Sequence, residues 1–237
     1  CSIGCLDLLK LFKPDYLKVA SRDLKNIPLL DAMAQTKIPM ILSTGMGSKM
    51  ELDNALKTIT KHHEKISILH CVSQYPTEYE NVNLKTISYL IKNYPKYTIG
   101  YSDHTIGIVI PTCSVVIGAK IVEKHITIDR NMKGTDQKGS LALDGLKRMI
   151  RDIRNIEESL GVEDIFISES VKDSKIKLER SVAAKRILKK GDIIEESCLT
   201  LLSPGNGFSW SEKNFLIGKT LNRDINSNDI IYKEFLE

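Results

Sequence analysis

YTIGY (97–101) and AKIVEK (119–124) are short β-rich runs, and the residues between them suit one helix and its two connections. The same kind of run recurs upstream as YLKVA (16–20), PMILS (39–43) and ISILHC (66–71), with starts 22 to 31 residues apart. That cadence belongs to repeated βα units, and consecutive βα units build a parallel sheet. Between the runs lie ordinary helix signals. Ser48 and Glu51 form a capping box ahead of Leu52, Leu56 and Ile59. Pro28 sits early in the preceding helix, where a missing N–H costs nothing. Leu84, Ile87 and Ile91 line a third helix; Leu146, Met149, Ile150, Ile153, Ile156 and Leu160 line a last one that stops at Gly161.

A parallel sheet of this kind is either doubly wound or closed as a barrel. An open sheet concentrates its ligand contacts at one switch point, whereas a barrel collects chemistry at the carboxyl end of every strand. All five strands end in reactive or polar residues: Lys18 and Ser21; Ser43 and Thr44; His70, Ser73 and Tyr75; Ser102, Asp103 and His104; Glu123 and His125. The pattern favours a TIM-type (β/α)8 barrel. Such a barrel needs eight strands in about 250 residues. Five strands are visible here and residue 1 is Cys, so the expectation is a barrel lacking about three amino-terminal βα units.

Composition bounds the rest. The chain has 237 residues, 42% hydrophobic and 27% charged, with a net charge of +4. Disordered and collagen-like chains are excluded, and a mild basic excess spread along the chain does not argue for nucleic acid. Ile106 to Val122 is the most apolar stretch, but Pro111, Thr112, Ser114 and Lys120 interrupt it, so no membrane span is expected. Five cysteines without CxxC spacing fit free thiols in a reducing cytoplasm. Leu6, Leu8, Leu9 and Leu11 suit an amphipathic helix over 5–12. The domains expected are the partial barrel (1–161), a linker (162–180) and a small β-rich domain (181–237). In the last, RILKKGDIIEES (186–197) and RDINSNDIIYKE (223–234) suggest two related hairpins.

His104 and His125 close successive strands, and Glu123 shares a strand face with His125. Two imidazoles and a carboxylate suit Mn²⁺, Zn²⁺ or Fe²⁺, although two hydrogen-bonded histidines at a barrel rim would look the same. Lys18, Ser21, Ser43, Ser73 and Ser102, with the Ser43-Thr44-Gly45 turn, would suit a phosphate or phosphoenol group. Each serine alone is equally explained by turn chemistry. His62 and His63 are expected to be solvated, His70 to be a satisfied core histidine and Trp210 to be a packing residue.

These residues sit in longer pieces: KVASRDLKNIPLL (18–30), ILSTGMGS (41–48), LHCVSQYPTEYENVNL (69–84), IGYSDHTIG (99–107), IVEKHIT (121–127) and MKGTDQKGSL (132–141). With them the chain resembles the N-acylneuraminate (sialic acid) synthases. The tail, with KKGD (189–192), PGNG (204–207) and IGK (217–219), is similar to that family's antifreeze-like SAF domain. The resemblance implies condensation of phosphoenolpyruvate with N-acetylmannosamine, or a related N-acyl hexosamine or its 6-phosphate, under Mn²⁺ or Mg²⁺. It implies a homodimer in which the SAF domain of one subunit caps the barrel of the other. It makes His104 and His125 metal ligands and Glu123 the neighbouring catalytic carboxylate. Lys18, Ser21, Ser43, Ser73 and Ser102 become phosphoenolpyruvate contacts, and Tyr75 and Asp136 sugar contacts. Ser73 stands where some members have Asn. Ser203 stands where many have an Arg that reaches the partner's N-acyl group. Other readings are another phosphoenolpyruvate–aldose synthase, such as a deoxyheptulosonate enzyme, and an inactive fragment or carbohydrate-binding module derived from a synthase.

Overall fold

A computed structural model describes residues 2–237, which divide into two units between Val162 and Glu163. The first unit opens with a 3-10 helix, Ile3–Lys10, none of whose residues is fully buried. The strands follow as β1 (Leu17–Val19), β2 (Met40–Ser43), β3 (Ile66–Cys71), β4 (Thr98–Asp103) and β5 (Val122–Lys124). Between and after them come the helices α1 (Ile27–Gln35), α2 (Lys49–Ile59), α3 (Lys85–Asn93), α4 (Val109–Ile117) and α5 (Leu143–Ser159). The strands pair in chain order, all parallel. A doubly wound sheet would reverse its order at a switch point. None occurs among these strands, so the sheet is the barrel type of curl.

Local chemistry explains the helices. The Asn26 side chain accepts from Leu29 N–H and Pro28 fills the first turn of α1. Glu51 accepts from Ser48 N–H at 2.8 Å in the capping box of α2. Gly161, at φ 54°, follows the end of α5 in the left-handed conformation that favours glycine. In α3 the buried residues are Ile87 and Leu90, while Ile91 is exposed. Only Met149 of the expected α5 stripe is fully buried.

The pleat then sorts the sheet into two faces. Val19, Met40, Leu42, Ile66, Ile68, Ile99 and Tyr101 form one core with Leu30, Met33, Ala55, Ile59, Ile87 and Leu90 of the helices. Alternate positions carry Lys18, Ser43, Cys71, Ser102 and Glu123. Register pairs Cys71 with Ser102 and Ser102 with Glu123. Side chains alternate in direction along a strand, so these five residues share the face turned away from the helices.

The second unit contains α6 (Lys172–Leu178) and an antiparallel pair, β6 (Ser181–Ala184) and β7 (Leu199–Leu202). The segment 162–180, expected to be a linker, therefore carries a short helix. The internal repeat folds as two matched turns rather than two hairpins. Asp192 accepts from Lys189 N–H and Asp229 from Asn226 N–H, at 2.8 and 2.7 Å. Gly191 and Asn228 take positive φ at equivalent places. The copies pair with each other through Leu188 and Ile225, which exchange both backbone hydrogen bonds. Leu188, Ile194, Ile225 and Ile231 meet in this unit's core. Trp210 is 39% exposed under the Lys213 ammonium rather than packed inside.

Cys5, Cys71, Cys113 and Cys198 are free thiols. Among the described residues no helix is long and apolar enough to cross a membrane.

Candidate active site

The polar face of the sheet is knit together by side chains that are distant in sequence. Lys18 Nζ donates to Ser43 Oγ at 2.8 Å and to the Val19 carbonyl at 3.1 Å. It lies 3.5 Å from Glu123 Oε2. The other carboxylate oxygen, Oε1, accepts from Ser102 Oγ at 2.6 Å. β1, β2, β4 and β5 thus each place a group in one network, which only a curled sheet achieves.

Beside it, Ser21, Cys71 and Ser73 crowd around Gly45. A Cβ at Gly45 would stand 2.5 Å from Ser73 Oγ, 2.9 Å from Ser21 Oγ and 3.0 Å from Cys71 Sγ. Ser73 Oγ is buried without a hydrogen-bond partner. Native structures seldom leave such an atom unpaired, so it marks a place for a ligand or water. The expected phosphate-binding turn is different in detail. Gly45 N–H is taken by Ser21 Oγ at 3.0 Å and Thr44 N–H by the Leu69 carbonyl at 3.1 Å. The turn's amides therefore shape the cradle, and the free donors are side chains.

His104 and His125 come together, with ring centroids 5.3 Å apart. His104 Nδ1 lies 2.7 Å from the Val72 carbonyl. A carbonyl can only accept, so Nδ1 carries the hydrogen and the Nε2 lone pair of the neutral ring is left for a ligand. The Cys71 sulfur at 3.9 Å is the weaker contact. Burial disfavours the His104 imidazolium, but Cys71 and the Val72 carbonyl together hold its pKa above the ordinary value. His125 Nδ1 is 3.6 Å from Asp136 Oδ2. Tyr75 stacks on His104 at 4.1 Å between ring centroids. Burial first, then the neighbouring Cys71, Asp136 and Glu123, raise the Tyr75 pKa, so its phenol stays a donor at neutral pH.

The fixed His104 tautomer is the arrangement a metal-ligating histidine needs, with its other ring nitrogen held by a carbonyl. Two imidazoles would supply two positions to a divalent ion and would leave the rest for substrate and water. Among the described residues no group of three or more His, Cys, Asp or Glu side chains stands ready to hold an ion.

A cavity of 610 Å³ is lined by Ser21, Arg22, Met46, Ser73, Tyr75, His125, Thr135 and Asp136. It is large enough for a small-molecule ligand. All ten sequence-predicted site residues lie in these three neighbouring groups. Arg22, Met46 and Thr135 are additions, as is Cys71; their residue types carry no signal without the fold. His70 is a core residue, its Nε2 donating to the Val82 carbonyl at 2.7 Å. His62 is not simply solvated, because its Nε2 meets Asp31 at 2.9 Å. His63 Nε2 is buried.

The fold and site define a parallel β/α unit with a pocket lined by imidazole, phenol and hydroxyl groups, a lysine–serine–glutamate network on the same sheet face, and a small β unit after it. The NeuB family profile matches residues 2–164, and the chain belongs to that family. The SAF domain profile matches residues 179–237. The N,N'-diacetyllegionaminic acid synthase of Legionella pneumophila is 34% identical over 98% of this chain and 66% of its own length. Human N-acetylneuraminate-9-phosphate synthase is 32% identical over 94% of this chain and 62% of its own. The crystal structure of N-acetylneuraminic acid (sialic acid) synthetase from Leptospira borgpetersenii, in complex with citrate, superposes with a TM-score of 0.67 at 36% identity. That match covers 73% of this chain and 60% of the other. The chain spans about two thirds of the length of the curated relatives it matches.

Proposed function

We propose that this chain carries the catalytic face of a phosphoenolpyruvate-dependent synthase that condenses the enol with an N-acyl hexosamine to give a sialic acid or a relative plus inorganic phosphate. The observation that carries the reading is the Lys18–Ser43–Glu123–Ser102 network together with the paired imidazoles, one of which, His125, lines the cavity. Family membership and the named activities of the relatives support it. In this reading the five βα units are part of a (β/α)8 barrel.

The chemistry follows from what each group can do. Lys18, Ser21, Ser43, Ser73 and Ser102 hold the phosphate, and Ser73 Oγ is the donor without a protein partner. C3 of the enol forms a bond to the aldehyde carbon of the open-chain sugar as the aldehyde π bond opens onto oxygen. Positive charge develops at C2, water adds there, and the C2–O bond breaks to release phosphate as C2 becomes the ketone; the two protons of the water end on the former aldehyde oxygen and on phosphate. Glu123, fixed by Ser102 and Lys18, is placed to accept the proton of that water. Tyr75 and Asp136 line the sugar's side of the cavity. A divalent ion held by His104 and His125, Mn²⁺ or Mg²⁺, would polarise the aldehyde oxygen and template both substrates. The proposal includes a homodimer with the SAF domain over the partner's barrel and a cytoplasmic site of action, the latter supported by the free thiols. Ser203 leaves the usual acyl contact changed, so the acyl group and 6-phosphate of the acceptor are variables for a substrate panel.

The test is phosphate release from phosphoenolpyruvate with N-acetylmannosamine and Mn²⁺, alongside calorimetric titration with phosphoenolpyruvate. Glu123→Gln is expected to lower release by roughly 10²-fold or more, the usual contribution of a general base. Lys18→Ala is expected to abolish phosphoenolpyruvate binding. Binding without any release would favour a ligand-binding module, and no binding at all would remove the synthase reading.

A further inference from the structure

The His104–His125 pair stands just beyond the end of its own ladder. β4 ends at Asp103 and β5 at Lys124, and the last two register pairs are Ser102 with Glu123 and Asp103 with Lys124. The first of these rungs points to the polar face, where Ser102 holds Glu123. The second points to the helix side. The next rung, if the ladder ran on, would be the two histidines, so no backbone pairing fixes their separation.

Side chains do this instead. Lys124 Nζ donates to Asp103 Oδ2 at 2.6 Å. The side chains of Lys124 and Asp103 are 2% and 0% exposed. Lys124 also donates to the Thr105 carbonyl. Asp103 Oδ1 accepts from Thr105 N–H at 3.0 Å and from Tyr101 Oη at 2.8 Å. Oδ2 accepts from Thr105 Oγ1 at 3.1 Å. Residues on both sides of His104 are therefore tied to the residue before His125. A buried ion pair is not a cheap source of stability, because desolvation offsets its attraction and apolar replacement is often neutral. What it supplies is a fixed geometry, here across two strand ends.

We propose that Asp103 and Lys124 are positioning residues that set the spacing and ring orientation of His104 and His125. The inference rests on the reading of those imidazoles as a metal-holding pair. It goes further by assigning their geometry to charged groups on the opposite face of the sheet. Fully satisfied buried networks specify one arrangement, and a partly satisfied one does not. Removing Lys124 leaves Asp103 Oδ2 without its ammonium partner and releases the Thr105 carbonyl, so the His104 segment loses its tie to β5.

The experiment uses the full chain and two readouts. One is the His104 ring tautomer, from long-range proton–nitrogen NMR correlations without metal, at a pH alkaline enough to keep the ring neutral. The other is Mn²⁺ affinity by calorimetry. Wild type is expected to show a single Nδ1–H tautomer at His104. Lys124→Met and Asp103→Asn are expected to show mixed tautomers and Mn²⁺ binding weakened by roughly 10–100-fold, as for other outer partners of metal ligands. Thr105→Val, which removes one hydroxyl bond and keeps the pair, is the mild variant expected to fold even if the others do not, with a smaller change in the same direction. Wild-type tautomer and Mn²⁺ affinity in folded Lys124→Met, or in Thr105→Val should the others not fold, would overturn the inference. If the tautomer changes but wild type binds no Mn²⁺, the positioning role stands and the metal reading falls.

Discussion

Gly45→Ala tests whether the cradle around residue 45 is the phosphate site. The added Cβ would meet Ser73 Oγ at 2.5 Å, Ser21 Oγ at 2.9 Å and Cys71 Sγ at 3.0 Å. Contacts this close force something to move. Ser73 Oγ has no partner and can turn away at little cost. Ser21 Oγ is held by Gly45 N–H at 3.0 Å and cannot turn without losing that bond. Overpacking of this kind costs about 1–3 kcal/mol of stability. Displacing one hydroxyl that bonds a charged phosphate removes a further ~1.5–3 kcal/mol of binding. At about 1.4 kcal/mol per decade, phosphoenolpyruvate affinity should fall roughly 10–100-fold. Urea unfolding and calorimetric titration measure the two effects separately. Adding Ser73→Ala removes a contact that already yields at little cost and leaves the Ser21 clash, so the double variant should match Gly45→Ala in stability and regain none of the affinity. A Gly45→Ala chain that binds phosphoenolpyruvate within twofold of wild type would refute the assignment.

Two further predictions concern the scaffold. His70 is buried, and desolvation outweighs its Val82 hydrogen bond to lower its pKa from 6.5. The neutral ring is therefore favoured by folding. Its contribution is intact above the unfolded value near 6.5 and is lost as pH falls toward the lowered folded value. His70→Gln keeps a donor for Val82 and cannot titrate, so the unfolding free energy of wild type, measured by urea titration, should fall relative to it between pH 7 and 5, by up to about 1.4 kcal/mol per pH unit. In the second unit, Asp192→Ala and Asp229→Ala remove equivalent turn bonds. Each should cost about 1 kcal/mol, read by fluorescence of the single tryptophan, Trp210, which lies in that unit.

The strand–helix alternation was legible because its determinants are local. β-rich runs, capping residues and a stop at Gly161 act over one or two turns of chain, and the structure follows them. Apolar stripes were less reliable guides to burial. Ile91 and most of the α5 stripe satisfy helical spacing, yet only a facing element can remove them from water. Trp210, expected to be a packing residue, is instead 39% exposed with the Lys213 ammonium over its ring, a pairing that depends on the local turn rather than on residue type. The SAF-unit repeat was visible as a pattern, but its two copies are matched turns that pair with each other, a long-range choice that similar local sequences leave open.

The sequence by itself determined which residues could do chemistry. Lys18, Ser43, Ser102 and Glu123 alternate with core residues along their strands, which commits them to one face, and His104 and His125 follow directly on β4 and β5. Tertiary structure alone decided how they are used. It spent the Gly45 and Thr44 amides inside the turn, left Ser73 Oγ without a partner and brought Arg22 and Thr135 to the cavity. It also buried Asp103 against Lys124 behind the two imidazoles. Residue type and spacing fix the direction in which a side chain leaves its strand. Which hydrogen-bond partner it finds depends on the stagger and curl of strands some 20 to 30 residues apart, which no local signal encodes.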